Sequence, residues 1–180
     1  MSKQNEILNF WYVEIEQAQW FIKDDAFDEM IKARFLSDVE NAIAGDYDDW
    51  SKEPQGCLAL ILLLDQFTRN IFRDTPRAFE GDKKAIAFCL QGIERGYLEE
   101  LEELQAWFFL LPMEHSETLA IQEASLPLFK KYPPDDVFEY AVKHHAIVER
   151  FGRFPHRNEI LGRNSTPEEI AFLQEPGSSF

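Results

Sequence analysis

The chain has 180 residues and a formal net charge of -15, enough length for one domain with a large core and the wrong sign for a general nucleic-acid binder. Its longest apolar run, 58–64, is far short of the ~20 residues that cross a bilayer. The opening MSKQNEILNFWYVE lacks the basic-then-apolar order of a signal peptide. A cytoplasmic protein without nucleic-acid or membrane partners is therefore expected.

Residues 6–16 carry Ile7, Leu8, Phe10, Trp11 and Ile15 at helical spacing. Asp25 is placed to cap a second helix, whose stripe Phe27, Ile31, Phe35, Val39, Ala42 and Ile43 ends at Gly45. A third helix starts at Pro54, where a missing N–H costs nothing. Its run 58–64 is apolar on nearly all sides, which predicts a central, fully buried position. Thr75-Pro76 and Asp82 mark two further starts, the second for a helix that stops at Gly96.

An aromatic helix over 101–111 is expected to end at Pro112. Ser116 would cap a helix over 117–132, with a kink or break at Pro127. Asp135 would cap the next, which ends at Gly152. Phe154 precedes a proline, so GRFPHRN leaves the helix and forms a loop projecting Arg153, His156 and Arg157. Thr166-Pro167-Glu168-Glu169 is a capping box that opens a last helix, followed by a mobile tail from about residue 175. With no strand-length alternation, the expectation is one all-α domain over 1–180 with about eight or nine antiparallel helices.

Two cysteines, Cys57 and Cys89, lie apart in apolar helical contexts and read as buried free thiols. The cationic residues are unevenly placed. Seven of the nine arginines fall in two windows, 64–77 and 144–163, and the second also holds three of the four histidines.

Three separated motifs resemble the signature of the bacterial DUF924 family, a domain of unknown function: LDQFTRNIFRDTPRAF (64–79), LPMEHSE (111–117) and FGRFPHRNEILGRNSTPEE (151–169). FWY at 10–12 and WF at 20–21 fit the same pattern, and His144 matches a histidine seven residues before FGRFPHRN. The resemblance implies an all-helical, tetratricopeptide-like stack of helical hairpins. It implies no activity, substrate or cofactor.

The chemistry of the two windows allows three readings. Planar guanidiniums around a loop fixed by Gly152 and Pro155 suit a phosphate or carboxylate. On this reading Arg69, Arg73, His115, His144, Arg150, Arg153, His156 and Arg157 line a polar cavity for an anionic small molecule or acidic peptide. The second is an enzyme acting on an anionic substrate, with His144 or His156 as general acid or base. The third is structural, with arginines pairing the many carboxylates and Asp65 holding Arg69 one helical turn away. No spacing completes a zinc motif, neither Glu114-His115 nor His145 with Glu149, and no phosphate-cradling glycine loop is present. Neither a metal nor a cofactor is expected.

Overall fold

The middle of the molecule is a helical rod from residue 54 to residue 71, built from the most apolar stretch of the chain. α3 (Pro54–Ile61) runs through a wider π turn, Leu62–Phe67, into α4 (Thr68–Ile71). Every side chain from Leu58 to Leu64 is fully buried, as the unbroken apolar run requires. This computed structural model describes residues 2–179, and among them it is all-helical with no strand.

The remaining helices surround the rod. α1 (Lys3–Asn9) and α2 (Asp25–Ala44) pack on one side, and α5 (Asp82–Glu94) and α6 (Glu103–Glu114) on the rod's other contacts. α7 (Leu119–Lys131) packs on α6 and on α8 (Phe138–Phe151), and α9 (Pro167–Phe172) closes the chain. Phe10, Trp11, Phe35, Phe67 and Phe108 meet ring to ring between the π turn Phe10–Glu14 that follows α1, α2, the rod and α6. Cys57 and Cys89 are buried free thiols, and burial pushes the Cys57 thiol up to about 12, so neither is a nucleophile at neutral pH.

Several boundaries differ from expectation, and one matters for function. α6 does not stop at Pro112 but continues through it to Glu114. The lost backbone bond is outweighed by burying Phe108 to Met113, and Gln122 takes the carbonyls of Glu114 and Ser116 at the helix end. α7 likewise runs unbroken through Pro127 and starts at Leu119, because Ser116 accepts from Thr118 N–H one turn early. Asp24, not Asp25, caps α2, and Gly81 rather than Asp82 precedes α5. The Gly45 and Gly152 stops and the Thr166–Glu169 capping box are as read. In the expected tail, Ser178 is buried and donates to the Leu173 carbonyl, while Phe180 lies outside the described residues.

Candidate functional site

The π turn places Asp65 at the end of the buried run, 1% exposed. Its carboxylate accepts from His115 Nδ1 at 2.8 and 3.0 Å and from Gln66 Nε2 at 2.6 Å, and it pairs with Arg69, whose Nη1 lies 3.2 Å from Oδ1 and donates to the Asp65 backbone carbonyl. Burial alone would raise Asp65, but Arg69 and His115 outweigh it and hold the carboxyl well below its ordinary range. An ionised carboxylate only accepts, so His115 carries its proton on Nδ1 and its lone pair on Nε2. Burial still pulls His115 below its ordinary value, despite Asp65. The Pro112 continuation of α6 is what brings His115 to this point.

Arg69 reaches across to Asp82 with two hydrogen bonds of 3.0 and 3.2 Å. Asp82 can stand there because residue 81 is glycine: a Cβ at Gly81 would run into the Leu64 carbonyl. From the other window comes Arg157, whose guanidinium lies over Phe154 at 4.5 Å and Phe79 at 4.8 Å. Arg157 is 6% exposed, its nearest paired carboxylate is Asp82 at 3.7 Å, and its Nε has no hydrogen-bond partner. Burial and neighbouring Arg69 push its guanidinium down to about 10. The other six arginines of the two windows each hydrogen-bond or pair closely with a carboxylate; among the described residues Arg157 has none within hydrogen-bond distance.

The third component is the pair Glu114 and His144, both buried. His144 Nδ1 lies 2.8 Å from the Tyr140 carbonyl and 3.1 Å from Glu114 Oε1. A carbonyl accepts only, so Nδ1 carries the proton and Nε2 the lone pair. Glu114 Oε2 has no hydrogen-bond partner. Burial, with Asp65 nearby, pushes Glu114 up to about 8, and burial pushes His144 down to about 3. His156 falls to about 4 through burial and then Arg157. The ring of Phe154 sits 5.6 Å from both His144 and His156. At neutral pH the imidazoles and Glu114 are therefore neutral, and two arginines face Asp65 and Asp82.

A second set of ion pairs holds this arrangement in place. Glu117, in the connection between α6 and α7, accepts from Phe154 N at 2.8 Å and from both ends of Arg163 at 2.7 and 2.9 Å, which pins the start of the turn Pro155–Arg157 to that connection. The structure thus brings Arg69, His115, His144, His156 and Arg157 together. Arg73 lies elsewhere, bound to Asp28 on α2 beside Asn70. Arg150 pairs with Glu168, and Arg153 with Glu169, on an open depression of about 420 Å³ also lined by Phe151 and Thr166. In the sequence Asp65 and Asp82 stand as partners for arginine, Asp82 also as a helix start, and Glu114 beside His115 as an incomplete zinc motif. The signal for Asp65 is a carboxylate ending a fully apolar run; for Glu114 it is only the adjacent His115, since Pro112 argues that the helix stops before it.

The matching sequence pattern decides the family. The chain belongs to DUF924, bacterial proteins of unknown function, whose family model matches residues 7–177. A similar solved structure is that of ATU0120, a protein of unknown function from Agrobacterium tumefaciens. It is 39% identical, with 95% of this chain and 96% of that chain covered and a TM-score of 0.90. No curated protein matches this DUF924 chain. No helix among its described residues is long and apolar enough to cross a membrane.

Proposed function

We propose that the protein is a binding module for a small anion of the phosphate or carboxylate class, seated on Arg157 and the outer edge of Arg69. The observation that carries this reading is Arg157 itself: a buried guanidinium with an unpartnered Nε and, among the described residues, its nearest paired carboxylate 3.7 Å away. A buried charge so weakly matched is costly, and an oxyanion that hydrogen-bonds it would recover that cost. The cluster meets solvent at Arg69 and His115, whose side chains are 21% and 16% exposed. So little exposed surface suits a small ion better than an acidic peptide. His156 beside Arg157 would gain a proton as an anion enters, so affinity is expected to rise as pH falls. Buried reduced thiols fit a cytoplasmic setting.

A second reading has one observation in its favour. Asp65 orients His115 as a carboxylate orients a general base, with Nε2 turned away from it. If the module also acts on its ligand, His115 takes the acid–base role, in place of His144 or His156, which are held neutral far below pH 7.

The test is a thermal-shift titration with phosphate, sulfate and dicarboxylates at fixed ionic strength in EDTA. A bound anion at one hundred times its dissociation constant adds about 2.7 kcal/mol to stability. Arg157→Met is expected to remove the shift. Failure of all these anions to give a saturable shift would reject the reading.

A further inference from the structure

The inner end of the cluster carries a second, separate chemistry. Glu114, His115 and His144 each bring a potential ligand atom within 4.8 Å of the other two. Glu114 comes from the last turn of α6, His115 from its cap and His144 from α8, so no sequence spacing marks them as a set. We propose that these three residues hold one divalent transition-metal ion, with zinc the best match to two imidazoles and a carboxylate. This inference does not rest on the anion reading.

Three features of the geometry support it. First, both imidazoles are already set as metal-binding histidines usually are: each donates Nδ1–H to a protein acceptor, Asp65 for His115 and the Tyr140 carbonyl for His144. That fixes the tautomer and leaves the lone pair on Nε2. Second, Glu114 is 3% exposed and its Oε2 has no hydrogen-bond partner, although such an oxygen in an apolar interior normally finds one. Third, the donor set of two histidines and one glutamate leaves a fourth position of a tetrahedral ion open. Bonds of about 2.0–2.1 Å place tetrahedral ligand atoms about 3.4 Å apart, so loading would draw the three side chains inward from their present separation. Asp65 would then be a positioning residue, acting through His115.

The experiment uses the whole chain, stripped with EDTA and exchanged into chloride buffer without other anions. Co²⁺ is titrated first and followed by its visible d–d absorption, then displaced by Zn²⁺. One equivalent is expected, with the intensified bands of a four- or five-coordinate ion. Glu114→Gln, which keeps the side-chain shape but cannot ionise to a carboxylate ligand, is expected to weaken binding at least about 100-fold while remaining folded by circular dichroism. Asp65→Asn is expected to weaken it about 10–100-fold. His145→Ala, one residue from the site on a partly exposed position, serves as the control and is expected to bind as the parent does. Folded parent protein that takes up no Co²⁺ would overturn the proposal. So would Glu114→Gln binding as tightly as the parent, or a loss of binding in His145→Ala.

Discussion

Two arginines four residues apart, Arg153 and Arg157, have opposite fates. Arg153 is partly exposed and paired face to face with a carboxylate: Nε and Nη2 grip Glu169 at 2.6 and 2.8 Å, and Nη2 also reaches the Asn164 carbonyl. Glu169 in turn accepts from Thr166 N and Asn158, so it is a structural hub that fixes the start of α9, and Arg153 first among these donors holds its carboxyl at about 2. Arg157 is buried and poorly matched, with aromatic faces where carboxylates would be expected. The lesson is that an accumulation of arginines in an acidic chain does not locate a site. Counting acceptors around each guanidinium sorts the candidates, since a well-paired one already has a structural role and a poorly paired buried one is the better candidate for a ligand.

The largest loss of stability is expected at Asp65. Asp65→Ala strips His115, Gln66 and Arg69 of a shared buried acceptor, and should destabilise by about 3–5 kcal/mol in urea melts. A midpoint within error of the parent would mean that the network on the π turn contributes nothing.

Glu114→Gln comes next and has the opposite sign. The folded carboxyl sits near 8 against an ordinary 4.5, so the unfolded chain ionises first, and parental stability falls as pH rises from about 4.5 to about 8. Glutamine escapes that loss, and the variant should be more stable by about 2–4 kcal/mol at pH 8 and by little at pH 4.5. On the acid side the histidines dominate. His144 resists protonation down to about 3 while the unfolded chain accepts it near 6.5, so parental stability also declines as pH falls below about 6.5. Melting temperatures across pH 4 to 9 check both limbs; a Glu114→Gln increment that does not grow with pH would show the carboxyl to be ionised in the fold.

Smaller effects separate the structural arginines from one another. Arg153→Ala leaves Glu169, itself nearly fully buried, short of its main donor and should cost about 1–3 kcal/mol. Arg150→Ala breaks a pair whose side chains are 47% and 63% exposed, and should change stability by less than about 0.5 kcal/mol. Equal costs for the two would remove the distinction between a buried hub and a surface pair.

Much of the fold was legible because it depends on local signals. The apolar run 58–64 dictated a buried central rod, and Gly45, Gly152 and Thr166 marked boundaries through their own backbone or side-chain chemistry. The site was only half legible. The two windows do meet, at Arg69 and Arg157 beside Asp82, but Arg73, Arg150 and Arg153 are spent on Asp28, Glu168 and Glu169. Which carboxylate takes which arginine is a matter of long-range packing, and one-dimensional spacing carries no record of it. His115 and Asp65 are fifty residues apart in the chain, and their contact depends on a helix that continues through Pro112 against the usual preference of proline.

The most direct measurement is isothermal titration of inorganic phosphate, in EDTA and at constant ionic strength, into three proteins side by side: the parent, Arg157→Met and Arg153→Ala. The account expects saturable binding to the parent and to Arg153→Ala, tighter at pH 6 than at pH 8, and none to Arg157→Met. Binding that survives Arg157→Met but disappears in Arg153→Ala would move the site to the exposed Arg150–Glu169 depression and contradict the account.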